Sequence, residues 1–126
     1  MFARRFSLFA LALSTACASA ATPGTHARDT NVISENEIAA SHESNAFEVI
    51  RSLRPMYLKT RGHSSINGTG SDYATVFVDG QQYGDLSTLR NIVSSQIREI
   101  RYYGSADATT KFGMQAAGGA IEIRTK

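Results

Sequence analysis

Hydrophobic residues recur at helical spacing in the first half of the chain. Phe47, Ile50 and Leu53 are spaced by three, which places them on one face of a helix. Ser34 and Asn45 each stand three residues before a glutamate, and this spacing is typical of helix N-termini. The pattern therefore predicts two short helices, each beginning at one of these polar residues.

The second half of the chain carries the alternation and the turn residues of β-strands. Residues 74–78 are mostly β-branched or aromatic, and Asp79-Gly80 after them supplies the positive φ angles of a two-residue hairpin turn. Residues 81–83 are then the returning strand. Residues 97–103 and 120–125 are predicted as two further strands, because Ile100 and Ile121 each begin an alternation of inward side chains.

Shorter elements connect these strands, and length and composition limit the whole to one small domain. Ser87 is predicted to cap a short helix that reaches Ile92, and residues 106–109 are predicted as a helical turn. The 126 residues are 42% hydrophobic and 19% charged, close to the averages of globular proteins. The sequence thus predicts a small α+β domain.

Residues 1–20 are predicted to be a signal peptide. Arg4 and Arg5 precede an apolar run over residues 6–13 and a small-residue stretch over residues 16–21. The apolar run falls short of the roughly 20 residues that a transmembrane helix needs. Residues 21–30 contain Pro23 and Gly24 and are predicted to be a flexible tether, with the folded domain over residues 31–126.

Two maturation routes are open for this export signal. Cleavage after the small-x-small string that ends at Ala20 would release a soluble protein. Alternatively, Cys17 lies in a sequence similar to a lipobox, and its thiol would then be acylated and anchor the protein to a membrane. Cys17 is the one cysteine of the chain, so either route excludes disulfides and thiolate metal sites in the folded body.

Charge argues against nucleic-acid binding. The chain has 13 Lys and Arg against 11 Asp and Glu, and the excess lies in Arg4 and Arg5 of the export signal. The exported body is therefore neutral and offers no basic footprint for a phosphate backbone.

Residues able to support catalysis or metal binding are present but scattered. No two histidines share a helical spacing, Ser64-Ser65 lacks the surroundings of an activated nucleophile, and the aspartates that could pair as acid and base lie in turns or polar loops. These residues are His26, His42, His63, Asp72, Asp79 and Asp85. We expect no enzyme activity, no metal and no cofactor.

Five glycines stand where predicted strands begin or end, and we expect positive φ angles or close backbone approaches at them. They are Gly62, Gly80, Gly113, Gly118 and Gly119. Gly118-Gly119 precedes a strand rather than a helix, so it lacks the helix N-terminus with which a phosphate loop holds its anion.

Five motifs in order give the chain a family resemblance. The motifs are Arg61-Gly62, then Asp79-Gly80 after a valine-rich strand, then the isoleucine-rich strand 97–103, then Phe112-Gly113, then Gly118-Gly119 before a strand ending in Thr125-Lys126. This succession resembles the plug domain of TonB-dependent outer-membrane receptors over roughly residues 33–126. The chain departs from the family at Tyr103-Gly104-Ser105, where most plugs carry arginine-glycine-proline.

The resemblance implies a mixed sheet of four to five strands with short helices, and a role in outer-membrane transport. Because the sequence ends at Lys126, we expect the plug-like domain to work with a separately encoded outer-membrane barrel or another protein of the TonB system. Docking would use Arg61, Asp79 and Arg101 against charges of a polar lumen. The expected location is the periplasm or outer membrane of a Gram-negative bacterium, with membrane attachment only through lipidated Cys17.

Two alternatives come from other functional classes. A small solute-binding periplasmic protein or lipoprotein would capture its ligand with the loop over residues 63–72. A hydrolase would turn over ester, peptide or glycoside substrates, which we do not expect.

Overall fold

A computed structural model describes residues 29–60 and 72–126. The described residues form five strands and three α-helices, connected in part by short 3₁₀ helices at Pro55–Leu58, Leu86–Asn91, Ser94–Gln96 and Met114–Ala116. In chain order the elements are β1 (Val32–Ser34), α1 (Glu35–Ser41), α2 (Ala46–Leu53), β2 (Thr75–Val78), β3 (Gln81–Gly84), β4 (Ile97–Tyr103), α3 (Ser105–Phe112) and β5 (Ala120–Thr125). The predicted signal peptide and most of the predicted tether lie outside the described residues.

All five strands join one mixed sheet in the order β1-β4-β5-β2-β3. β2 and β5 run parallel, whereas the other three neighbouring pairs are antiparallel. The predicted α+β class and the mixed sheet are therefore confirmed.

The residues predicted to begin α1 and α2 form the expected N-terminal hydrogen bonds. The Glu37 carboxylate accepts a hydrogen bond from the Ser34 amide at 3.0 Å, and Asn45 Oδ1 accepts one from the Glu48 amide at 3.0 Å. These bonds satisfy amides that have no partner inside the helix. α1 then ends at His42, whose φ of 55° lies in the left-handed region.

The main core lies between one face of the sheet and α1, α2 and the first two 3₁₀ helices. Its large buried side chains are Ile33, Val49, Ile50, Tyr57, Val76, Leu89, Ile97, Ile100, Tyr102, Ile121 and Ile123. The Tyr57 and Tyr102 rings stack at 4.7 Å, and the Tyr57 hydroxyl donates to the Thr30 carbonyl at 2.5 Å. Burial raises the pKa of Tyr57 to about 12, so this tyrosine stays protonated at physiological pH.

The opposite face of the sheet is covered in part by α3. A second, smaller cluster forms there from Phe77, Ala108, Ala116 and Ala120, with Phe112 stacked on Phe77 at 3.9 Å between ring centroids. Three of its four buried members are alanines. This face therefore buries much less apolar area than the main core.

One local prediction is wrong, and another is shorter than the element that forms. The helix predicted to begin at Ser87 is capped instead by Asp85, whose Oδ1 accepts hydrogen bonds from the Ser87 amide at 3.1 Å and its hydroxyl at 2.5 Å. The turn predicted over residues 106–109 is the eight-residue helix α3. Of the glycines expected to have a positive φ or a close backbone approach, Gly80, Gly113 and Gly119 have a positive φ and Gly118 does not.

Candidate functional site

Alternation in β4 and β5 places charged side chains together on the face that α3 leaves partly open. Glu99 pairs with Arg124 and Arg101 with Glu122 across the two antiparallel strands. Their neighbours in sequence, Ile100 and Ile121 among them, point into the main core. We call Glu99, Arg101, Lys111, Glu122 and Arg124 the charged face.

A continuous chain of ion pairs connects the charged face. Arg101 Nε lies 3.0 Å from Glu99 Oε1, and Arg124 lies 3.8 Å from the same carboxylate. Arg124 also lies 3.7 Å from Glu122, and Lys111 Nζ lies 2.8 Å from Glu122. Three cations and two carboxylates meet here, so the face carries one net positive charge.

Glu122 is the buried centre of this network. Its Oε2 accepts hydrogen bonds from Lys111 Nζ at 2.8 Å and from the Tyr103 hydroxyl at 2.9 Å. Burial alone would raise the pKa of Glu122, but these two hydrogen bonds and the charges of Lys111 and Arg124 lower it below its ordinary value. The carboxylate is therefore ionised at neutral pH and attaches α3, which carries Lys111, to the sheet.

The cations form the outer layer of the charged face and the carboxylates the inner layer. The exposed fraction of the side chain is 47% for Arg124 and 37% for both Arg101 and Lys111, against 25% for Glu99 and 6% for Glu122. Glu99 holds the pKa of Arg101 above its ordinary value despite partial burial. A guanidinium group that bonds to a neighbouring carboxylate through one nitrogen keeps its other N–H donors for carboxylates of another molecule.

The Glu122 network predicts a specific acid sensitivity. Because the pKa of Glu122 in the folded protein lies below the ordinary 4.5, the ionised carboxylate stabilises the fold above about pH 4.5, and this contribution is lost as the pH falls through the lowered value. Glu122→Gln should cost about 1–2 kcal/mol at neutral pH and make the free energy of unfolding less dependent on pH below about 4.5. Urea unfolding from about pH 7 to about pH 3 measures both effects.

Asp107→Asn is the matched control, since Asp107 is an exposed carboxylate in the first turn of α3. It should leave the stability within about 0.5 kcal/mol of the parent at neutral pH. A Glu122→Gln variant with an unchanged acid slope would show that the ionised Glu122 carboxylate does not stabilise the fold.

Asp79 and Gly80 form the predicted hairpin turn, with φ angles of 49° and 84°. The Asp79 carboxylate accepts hydrogen bonds from the Thr125 amide at 3.0 Å and the Thr125 hydroxyl at 2.7 Å. These bonds, with the Arg124 charge nearby, lower the pKa of Asp79. The turn residue predicted as a docking contact therefore also connects the hairpin to the end of β5.

The remaining motif residues of the described chain lie around α3. Phe112 packs on Phe77, and Gly113 ends α3 with a φ of 90°. Gly119 lies at the start of β5, where its carbonyl accepts the Thr75 amide at 3.0 Å. Of the three predicted docking residues, the structure places Arg101 on the charged face and Asp79 at the hairpin turn, and it does not describe Arg61.

Several predicted residues lie outside the described part of the chain. They are Cys17, His26, Arg61, Gly62 and, from the proposed solute loop, residues 63–71. Asp72 is described, and His42 is exposed at the end of α1. The lipid anchor and the solute loop therefore stay predictions.

Sequence reasoning missed four of the five residues of the charged face. Only Arg101 was among the predicted contacts. The available signal was the alternation of opposite charges two residues apart, Glu99 with Arg101 and Glu122 with Arg124. The alternation alone does not show that the two strands are neighbours.

Within residues 29–60 and 72–126, no group of three or more His, Cys, Asp or Glu side chains could hold a metal ion. No helix in this part of the chain is long and apolar enough to cross a membrane. Comparison with family models, with curated proteins and with solved structures gives no match.

Proposed function

We propose that this chain is an exported, non-enzymatic docking module of the Gram-negative cell envelope. Its folded domain is similar to the plug of TonB-dependent receptors, and it acts by seating its charged face in the polar lumen of an outer-membrane barrel. The observation that carries this proposal is the layered arrangement of Arg101 and Arg124 above Glu99 and Glu122. The order of the plug-like motifs along the chain supports it independently.

The layering gives the docking a physical basis. Glu99 holds Arg101 by a hydrogen bond at 3.0 Å, and Arg124 lies within 3.8 Å of both carboxylates, so a partner would meet one restrained guanidinium group with a second beside it. Barrel lumens are polar, and carboxylates there can accept paired hydrogen bonds from each guanidinium. A single exposed pair contributes only about 0.2–1 kcal/mol, so several pairs and a well-fitting surface are needed.

Attachment of α3 beside the arginines defines the edge of this surface. Lys111 lies 4.4 Å from the Tyr103 ring centroid and 5.0 Å from that of Phe112, and it bonds to Glu122 beneath them. The helix thereby fixes one border of the charged face, while the arginines stay accessible. In this proposal the module needs no cofactor, and its transport role follows from the barrel it joins.

Charge reversal on the charged face tests the proposal. The tagged mature protein is incubated with a detergent extract of outer membranes from the producing bacterium, crosslinked mildly and purified, and bound proteins are identified by mass spectrometry. We expect recovery of an outer-membrane barrel protein. The double variant Arg101→Glu, Arg124→Glu should reduce that recovery at least about tenfold, because repulsion replaces attraction at both positions.

Arg98→Glu is the matched control, because Arg98 is an exposed arginine of β4 outside the charged face. It changes the net charge in the same direction and should leave recovery of the barrel within about twofold of the parent. Recovery of no membrane protein, or equal losses for Arg98→Glu and the double variant, would contradict docking through the charged face.

A further inference from the structure

The outer edge of β3 is open within the described part of the chain. β3 is the last strand in the sheet order and pairs only with β2. The amides of Thr75 and Asp79 donate to β5, to Gly119 and Ile123 respectively, so the amide of Phe77 between them also faces β5. Gln82 lies opposite Phe77, and its own amide and carbonyl therefore point outward, away from the sheet.

The charged residues that flank this strand in sequence are both acidic. β3 itself carries no charged residue, but Asp79 precedes it at the turn and Asp85 follows it, and both side chains are exposed. Asp85 Oδ1 accepts two hydrogen bonds from Ser87, and the carboxylate is exposed to solvent. Hydrogen bonds to Ser87 and Thr125 lower the pKa of Asp85 and of Asp79, so both are ionised. We call β3 with Asp79 and Asp85 the acidic edge.

An open cleft lies beside the acidic edge. Its volume is about 610 Å³, and it is lined by side chains and backbone of Gln82, Gly84, Asp85, Thr88 and Gln115, among others. The cleft is open to solvent and is large enough for one or two side chains of a bound chain. Its ionisable lining residue is Asp85.

We propose that the acidic edge binds an extended basic peptide segment of another protein as a sixth strand of the sheet. The main chain of the segment pairs with the outward amide and carbonyl of Gln82, as in other cases of strand addition. A lysine or arginine side chain of the segment enters the cleft and bonds to Asp85. This surface lies on a different strand from the charged face, although Asp79 at its turn end lies near Arg124, and the inference does not rest on docking to a barrel.

The charges favour a basic peptide over a second copy of this chain. Antiparallel pairing of two β3 edges would bring the aspartates of both copies close together along one joint edge. Like charges at such distances repel, and no basic residue of β3 offsets them. A basic strand, in contrast, gains an ion pair at Asp85 in addition to its main-chain hydrogen bonds.

The probe is the fluorescently labelled peptide acetyl-Lys-Thr-Val-Thr-Val-Lys-amide, compared with the same peptide carrying glutamate in place of both lysines. Binding to the mature protein is followed by fluorescence anisotropy at low and high salt. We expect a dissociation constant on the order of 100 µM for the basic peptide, weakening with salt, and at least about tenfold weaker binding of the acidic one.

Two variants separate the main-chain contact from the charge. Asp85→Asn keeps a good helix cap and should weaken the basic peptide about three- to tenfold while removing most of the salt dependence. Gln82→Pro removes the outward amide at a position where an edge strand tolerates proline, and should abolish measurable binding. Arg101→Glu should leave peptide binding unchanged, which separates this inference from the proposed docking face.

A peptide N-methylated at alternate amides tests the strand pairing on the unaltered protein, in case Gln82→Pro fails to fold. It should bind at least about tenfold more weakly than the unmethylated basic peptide. The inference is overturned by equal binding of the basic and acidic peptides, by unchanged binding of the N-methylated peptide, or by no binding at about 1 mM.

Discussion

Gly119→Ala is expected to destabilise the domain by about 2–4 kcal/mol. The φ of Gly119 is 105°, a region that residues with a Cβ rarely adopt. An added Cβ would also lie 3.1 Å from the Tyr103 carbonyl oxygen and 3.3 Å from the Tyr102 hydroxyl. The carbonyl belongs to a central strand and has little freedom to move, so backbone strain and close contact add.

Gly118→Ala is the matched control for this substitution, because the backbone of Gly118 is not in the left-handed region. It should change the free energy of unfolding by no more than about 1 kcal/mol. The chain has no tryptophan, so urea unfolding is best followed by far-ultraviolet circular dichroism. If both substitutions lowered the free energy of unfolding equally, the specific requirement for glycine at position 119 would be contradicted.

Phe77→Ala should cost about 3–5 kcal/mol, the second large effect. Phe77 is 2% exposed and stacks on Phe112, and the other buried members of its cluster are alanines that cannot fill the space left by the ring. The substitution should weaken the packing of α3 on the sheet. Amide hydrogen exchange should therefore speed up first in α3, while the strands under the main core keep their protection.

Tyr83→Ala provides the comparison for an aromatic residue on the neighbouring strand. Tyr83 is half exposed, and its removal should cost less than about 1 kcal/mol. If Phe77→Ala lost no more stability than Tyr83→Ala, or if α3 kept its protection in Phe77→Ala, the packing of α3 on this face would be contradicted.

The sequence predicts an element correctly where the preferences of neighbouring residues agree with the contacts in the folded domain. Ser34 and Asn45 precede glutamates and begin helices, and Asp79-Gly80 forms the turn that its positive φ angles require. The alternation in β4 and β5 correctly predicted that Ile100 and Ile121 face the core. In each case residues within a few positions of one another determine the local structure.

Predictions failed where the decisive contact is distant in sequence. α3 has one fully buried residue, Ala108, and two adjacent threonines, so its own sequence gives little helical pattern. Its position depends on Phe112 meeting Phe77 and on Lys111 meeting Glu122, which lie 35 and 11 residues apart in the numbering. Asp85 and Ser87 are both residue types that suit a helix N-terminus, and the sequence alone does not show which of them is the cap.

The charged face could not be predicted for a related reason. Its charges alternate along β4 and β5, but their meeting requires the antiparallel register of Glu99 with Arg124 and of Arg101 with Glu122. Nothing in either strand alone fixes that register. The acidic edge likewise follows from the sheet order, which leaves β3 at the border.

The two surfaces carry opposite charge and suit different partners. The charged face is cationic in its outer layer, whereas the acidic edge ends in Asp79 and Asp85. The face lies on β4 and β5 and the edge on β3, with β2 between them in the sheet.

Site-specific photocrosslinking in living cells tests the docking surface most directly. A photoreactive amino acid is placed at Arg101, at Arg124 and, for comparison, at Arg51, which lies on α2 on the other side of the sheet. Docking through the charged face predicts ultraviolet-dependent adducts with an outer-membrane barrel protein from Arg101 and Arg124, and none from Arg51. Adducts with the barrel from Arg51 alone, or from none of the three positions, would contradict it.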